Sequence, residues 1–423
     1  MEDVMNATQI DCARDGILTP EMKYVAETEN LDETTILSYV ANGKLVIMTR
    51  DKNPPVAIGK GVTTKINVNL GTSSANVDPD SEVEKVKIAE KYGADTITDL
   101  SMGGDISDIR SRVFKNTTLP ITTVPIYQSI VEYGMKNVTS KDILSILEKH
   151  VDEGVSSVVL HCVDNYTLGK LKGSERVMGM VSKGGSFTSV FMLTNECKNP
   201  FIQNFDTVLE ILRKNDVVLS LGNTMRSGCI HDLYDDAQMS EIETNIRLAN
   251  RANEKGVQVI VEGTGGHVQA NDIPDTVRYY KSLSEYPLFV AGPLPIDVAL
   301  GYDHIAGSVG ASMASGAGAD YLCYITPSEH LALPTPEQVR EGLVAFKIAG
   351  HIGDTIKYGM SDRDLMLSMK RRKFDWDGQI EMAIDPDKPK EMCPMEGPCT
   401  MCGEYCAIKI MQNYLSGDNR YGN

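Results

Sequence analysis

The chain is predicted to fold as an α/β protein, a (β/α)8 TIM barrel with small additions at either end. Three observations predict it. Short apolar, β-branched runs recur eight times between residues 65 and 326, and each is followed by a helix-like or glycine-rich stretch. The chain has 423 residues, 42% of them apolar, enough for one large core and smaller attachments. Regular alternation of strand and helix argues a parallel sheet, and eight strands close such a sheet into a barrel.

Residues 1–64 read as an N-terminal cap with one amphipathic helix, ending in a glycine-bearing loop at Gly59 and Gly61. The barrel is expected over residues 65–335, with strands at 65–70, 95–100, 121–126, 157–162, 217–222, 257–262, 287–292 and 320–325. Between them, stretches such as 80–92 and 240–252 carry apolar residues three or four apart, which suits the outer helical ring. In such barrels the chemistry sits where strands end. Here the strand ends are followed by Asn69, Tyr127, His161, Asn223, Glu262 and His330, which locates the mouth. Residues 336–423 form a C-terminal domain with helices at 337–349 and 362–369. A proline-rich linker at 385–390 is expected to leave the tail able to move, and a final helix to pack through Ile408, Met411 and Leu415.

A formal charge of −17 opposes nucleic acid and anionic lipid as partners, and no apolar run reaches membrane-spanning length. Lys370, Arg371, Arg372 and Lys373 read as a solvated helix face. Five cysteines, Cys12, Cys162, Cys197, Cys229 and Cys323, are scattered and no secretory signal precedes them, so a reducing, cytoplasmic setting is expected. Cys399, Cys402 and Cys406 stand in a C-x2-C-x3-C triplet that points to a metal or cluster. Three thiolates leave a [4Fe–4S] cluster with one open iron, whereas zinc would need a fourth ligand, which Cys393 would supply.

Glu262 and His267 flank a glycine-rich turn, and Glu329 and His330 follow the eighth strand. Two histidines at one mouth would hold a second metal; the alternative is ordinary hydrogen bonding, which is also the plain reading of Asp297, Asp303 and His304. Ser182, Lys183, Gly184 and Arg226 offer the N–H groups, hydroxyl and cations that seat a phosphate monoester.

From about residue 60 to 415 these segments resemble the thiamin pyrimidine synthase (phosphomethylpyrimidine synthase) family. The likeness is carried by KINVNLGTS at 65–73, TVPIYQ at 123–128, VSKGGS at 181–186, GPL at 292–294 with Asp297 and GYDH at 301–304, YITPSEHLALP at 324–334, and the cysteine tail. The resemblance implies a non-standard radical S-adenosylmethionine enzyme acting on 5-aminoimidazole ribonucleotide. It implies a homodimer in which a tail-borne [4Fe–4S] cluster reaches the partner's barrel, with an electron donor such as flavodoxin or ferredoxin. By position, Asn69, Tyr127, His161, Ser182, Lys183, Gly184, Arg226 and Glu262 would line the substrate pocket, with Glu262 handling protons. His267 and His330 would hold an additional divalent metal, zinc or iron, and Cys399, Cys402 and Cys406 the cluster.

The sequence also departs from the family's motifs. The cysteine spacing is one residue shorter than the family's, the DGLRPG motif has become the segment from Asn223 to Gly228, and the turn between Glu262 and His267 is one residue longer. A family methionine is Thr98 and a family tyrosine is Phe289. Thr98, Asn223 and Phe289 are expected at the substrate site, where they would alter the acid–base set while keeping substrate seating. That pattern favours the paralogous 5-hydroxybenzimidazole synthase of anaerobic cobalamin lower-ligand biosynthesis; the alternative is the thiamin pyrimidine synthase itself.

Overall fold

A computed structural model describes residues 7–232, 234–394 and 396–416. The chain divides into two compact units, Met1–Lys357 and Tyr358–Asn423. Residues 1–6 of the expected cap and 417–423 of the expected tail lie outside the described residues.

The first unit opens with three helices, Gln9–Arg14, Pro20–Thr28 and Glu33–Ala41, and an antiparallel hairpin of β1 (Leu45–Met48) and β2 (Val56–Gly59). One amphipathic helix was expected here, so two helices and the hairpin escaped the pattern. The reason is length: helices of six to nine residues are too short to establish a 3.6-residue period. Their start signals are nonetheless present. Thr8 and Asp11 form a capping box, Thr19 caps a helix that begins with Pro20, and Asp32 caps the third.

The hairpin's two faces serve two cores, as the two-residue period of a strand allows. Leu45 and Ile47 pack with Ile10, Met22, Ile36 and Val40 inside the cap. Val46, Met48 and Ile58 pack on Val218, Ile260 and Tyr321, which lie early in their barrel strands, so the hairpin plugs the end opposite the mouth. Gln258 secures it by pairing with both backbone groups of Ile47, accepting from N at 2.7 Å and donating to O at 3.1 Å.

The barrel strands are β3 (Lys65–Leu70), β4 (Thr96–Asp99), β5 (Ile121–Thr123), β6 (Ser157–Leu160), β7 (Val218–Leu221), β8 (Val259–Glu262), β9 (Leu288–Ala291) and β10 (Tyr321–Cys323). They close in sequential parallel order, β10 pairing with β3. All eight expected strands are found. Within each, alternate residues face outward into the main core, among them Ile66, Val68, Ile97, Val158, Leu160, Leu219, Val261, Val290 and Leu322. The inward set is mixed: Val218, Ile260 and Phe289 are apolar, while on the other side Asn67 Oδ1 accepts from Thr96 at 3.0 Å, Thr98 at 2.8 Å and Tyr321 at 3.2 Å. A strand with polar inward residues still reads as a strand because its outward apolar residues recur every second position.

Only β3 keeps its full expected length, and β5 and β10 are cut to half of theirs. Residues 124–126 do not extend β5, because Pro125 sits in the first turn of a helix, Pro125–Tyr133, and Tyr127 is therefore presented from that helix.

The long helix Pro336–Tyr358 ends the first unit. The second contains Asp362–Arg372, Trp376–Met382, Asp387–Met392, a short 3-10 turn Gly403–Tyr405, and Ala407–Leu415. Of the basic run read as a solvated face, Arg371, Arg372 and Lys373 are exposed, whereas Lys370 is half-buried and pairs with Asp375 at 3.0 Å. Arg363 ties the first two of these helices by donating to the carbonyls of Met382 at 2.8 Å and Ala383 at 2.9 Å. Two segments differ in local structure from the sequence reading. The proline-rich segment folds into the helix Asp387–Met392, because its prolines fall at or before the first turn where no N–H is needed. The final helix forms, but its apolar face does not pack: Ile408, Met411 and Leu415 are exposed.

Candidate active site at the barrel mouth

The strand ends converge on a cavity of about 340 Å³. Asn69, Thr98, Tyr127, His161, Asn223, Arg226, Glu262, His267, Phe289 and His330 all contribute to its wall. Ser182, Lys183 and Gly184 do not line it: Ser182 and Gly184 are buried beside it and Lys183 is exposed. Ser182 Oγ is fully buried and caps the helix Lys183–Thr194 by accepting from Gly185 N at 3.1 Å. Lys183 lines a neighbouring cavity of about 410 Å³ that shares Asn69, Tyr324, Glu329 and His330, and its Nζ lies 5.5 Å from the Tyr127 ring centre.

His161 is held by two glycines. A Cβ at either Gly184 or Gly222 would overlap its ring, so the imidazole is sandwiched between a helix N-terminus and the end of β7. Burial, and then the Arg226 cation, push its pKa down to about 3, so it is neutral at physiological pH. Its Nδ1 is buried without a hydrogen-bond partner. Burial likewise pushes the Tyr127 phenol up to about 12, leaving it a permanent O–H donor.

Glu262 is half-buried at the end of β8, and burial raises its pKa against the opposing pull of Ser220, the Asn223 backbone and Arg226. Ser220 Oγ donates to Oε1 at 2.8 Å and Asn223 N to Oε2 at 3.2 Å. A carboxyl with raised proton affinity beside a polar cavity is suited to proton exchange. Asn223 is 3% exposed, and both ends of its carboxamide lack partners, so it offers its two N–H donors and its carbonyl oxygen to a ligand. Thr98 instead spends its hydroxyl on Asn67, and Phe289 stacks on Tyr321 at 4.0 Å to form part of the floor.

His267 and His330 are brought together, with ring centres 5.1 Å apart. Behind them stand carboxylates: Asp297 Oδ1 lies 2.7 Å from His267 Nδ1, and Asp303 Oδ2 lies 3.3 Å from His330 Nδ1. Gly266, at φ +81°, permits the turn that delivers His267; a Cβ there would collide with the Ser227 carbonyl. Among the described residues no three His, Cys, Asp or Glu side chains converge as a ready metal site. The tail thiols therefore do not meet at one point. Cys406 is buried at the start of Ala407–Leu415, Cys399 is half-buried and Cys402 exposed, and none of the three is in a disulfide. The donor set nonetheless suits an iron–sulfur cluster by kind and number: three uncommitted thiols within eight residues, two in a loop and one at a helix entry.

Sequence reasoning missed several residues. Cys323 lines the cavity and accepts from Asn69 Nδ2 at 3.0 Å; its inward register opposite Ala291 and Asn67 was the available signal. Met178 also lines the wall, on a segment strapped down by Asp232, whose carboxylate accepts from the N–H of Val177 at 2.7 Å and of Met178 at 2.9 Å. Nothing in the local sequence pattern signals that strap.

Comparison with known proteins matches residues 8–413 to the Radical SAM ThiC family. The phosphomethylpyrimidine synthase of a Thermoanaerobacter species is 42% identical over 96% of this chain and 98% of its own. That of Dehalococcoides mccartyi is 44% identical over 96% and 98%, and that of Archaeoglobus fulgidus 42% over 97% and 100%. These relatives carry the pyrimidine synthase name, so they support the alternative weighed above and give no support to the benzimidazole reading that the motif departures favoured.

Proposed function

This chain belongs to the Radical SAM ThiC family, and on that premise we propose that it converts 5-aminoimidazole ribonucleotide to the phosphorylated hydroxymethylpyrimidine of thiamin. The observation that carries the reading is the cavity itself, where a neutral imidazole, a protonated phenol, a guanidinium and a carboxyl of raised pKa face one space. Arg226 and Lys183 neutralise the phosphate, and the N-terminus of Lys183–Thr194 adds its N–H groups. His161, Tyr127 and Asn223 orient the base and sugar, and Glu262 moves protons. Walls such as Val124, Val159 and Leu294 help exclude water.

Cys399, Cys402 and Cys406 would hold a [4Fe–4S] cluster, which when loaded supplies the electron that turns S-adenosylmethionine into a hydrogen-abstracting radical. His267 and His330 would hold a divalent ion, zinc or iron. Two imidazoles on one tetrahedral ion have ring centres about 5 Å apart, and the 5.1 Å separation fits. The working form would be a homodimer reduced by a flavodoxin or ferredoxin, independent of nucleic acid and membrane. Among the described residues no helix is long and apolar enough to cross a membrane.

A second reading is favoured by one observation: Thr98, Asn223 and Phe289, the departures from the family's motifs, all line this cavity. They would steer the same substrate to 5-hydroxybenzimidazole. The test is to incubate reconstituted enzyme anaerobically with the ribonucleotide, S-adenosylmethionine and a reductant, and to identify the product by mass and ultraviolet spectrum. The phosphorylated pyrimidine is expected; a phosphate-free benzimidazole overturns the first reading in favour of the second.

A further inference from the structure

We infer that Asp297 and Asp303 are positioning residues that set both histidines of the mouth for a shared divalent cation. The inference rests on the two-histidine reading above and deepens it. Each carboxylate lies against the Nδ1 of one imidazole, Asp297 at 2.7 Å from His267 and Asp303 at 3.3 Å from His330. A carboxylate at Nδ1 holds the proton there and leaves the Nε2 lone pair free to bind metal. Among the described residues neither Nε2 has a hydrogen-bond partner.

The carboxylates are themselves held. Asp297 Oδ2 accepts from Ile230 N at 3.1 Å, so its other oxygen is fixed on His267. Asp303 is 3% exposed in the first turn of the helix Asp303–Ala317, and its Oδ2, buried without a hydrogen-bond partner, faces His330 at ion-pair distance. A buried carboxylate oxygen with nothing else to serve is costly unless the imidazole opposite takes the matching tautomer. The two pairs use the same ring nitrogen on adjacent imidazoles, and so favour at both the tautomer that a shared ion would need. The arrangement leaves the cation's remaining positions to water and ligand, as in an open site.

The test uses the full chain with its tail thiols first loaded with iron and sulfide, so that they do not compete, followed by equilibrium dialysis against Zn²⁺ and metal analysis. Wild type should take up one additional Zn²⁺, and His267→Ala should lose it. Asp297→Asn and Asp303→Asn should each weaken binding roughly 10- to 100-fold, with far-UV circular dichroism and the metal-free thermal midpoint unchanged; Asp297→Glu should recover part of the loss. Asn variants that bind as tightly as wild type overturn the inference. If wild type takes up no additional zinc, or His267→Ala takes up as much, the two-histidine reading itself falls, and this inference with it. A check free of variants is the nitrogen-15 histidine spectrum of the metal-free protein: His267 and His330 must carry the Nδ1 proton, and an Nε2–H tautomer at either overturns the proposal.

Discussion

Glu241 touches no part of the cavity wall yet holds it in place. From the helix Asp236–Glu254 its two carboxylate oxygens accept the backbone N–H groups of Thr224 and Met225, each at 2.7 Å, fixing the loop that carries Asn223 and Arg226. Burial, opposed by these hydrogen bonds, pushes its pKa from 4.5 up to about 7. A raised folded-state pKa means the native state binds the proton more tightly than the unfolded chain. This contribution to stability is therefore complete below about 4.5 and is lost as pH rises through about 7. At about 1.4 kcal/mol per pH unit the loss is on the order of 3 kcal/mol. Urea melts between pH 4.5 and 8 should show a loss smaller by about that amount in Glu241→Gln than in wild type, the remainder coming from groups such as Asp216, which burial also raises to about 7. Because an amide nitrogen cannot accept the second N–H, the same variant should raise KM for the ribonucleotide roughly three- to tenfold, the equivalent of about one hydrogen bond. Wild-type KM in Glu241→Gln would show the clamp to be idle. The sequence concealed this residue: on an amphipathic helix Glu241 reads as one more polar position, and its partners lie on a separate loop. His161 and Glu262 were legible because strand ends announce themselves.

Elements meet at the site through a contact that only glycine allows. The helix Lys183–Thr194 begins so close to the residue after β6 that a Cβ on Gly184 would occupy the His161 ring, and Gly222 after β7 closes the other side. Gly184→Ala replaces a poor helix former with a good one, so helix propensity alone predicts a gain of about 1 kcal/mol. The overlap predicts the reverse: the helix start must retreat, at a cost of roughly 1–3 kcal/mol, and KM should rise at least tenfold. Thermal melts and steady-state kinetics distinguish the two, and a variant that is more stable with unchanged KM would remove the sandwich from the account. The eight barrel strands were readable because apolar residues recur every second position. Two things were not. The cap hairpin is legible only once its second face, Val46, Met48 and Ile58, is seen against Val218 and Ile260. The helical placement of Tyr127 depends on Pro125, which the apolar run of 121–126 concealed.

On the scale of the whole molecule, the proposed function divides the chemistry between a barrel that would bind and a tail whose cysteines would handle the electron. The sequence is where that proposed division starts, since a C-x2-C-x3-C triplet has no place in a barrel core. What it concealed is that the final helix exposes its apolar face, because periodicity predicts an apolar stripe and never says what covers it. The three apolar core clusters of the first unit draw their fully buried residues from Ile10 to Ala349, all before the second unit begins at Tyr358. A domain with its own complete core folds on its own. A chain ending at Tyr358 should therefore keep a cooperative thermal transition within a few degrees of the full-length protein, since about 1 kcal/mol shifts the midpoint of a large domain by only 2–4 °C. It should bind the ribonucleotide, measured by calorimetry, while containing no iron or sulfide and forming no product. Cys402→Ala in the full chain should reproduce the loss of turnover with the barrel transition intact. If the shortened chain fails to fold, or if Cys402→Ala retains full turnover, binding and electron handling do not reside in separate units.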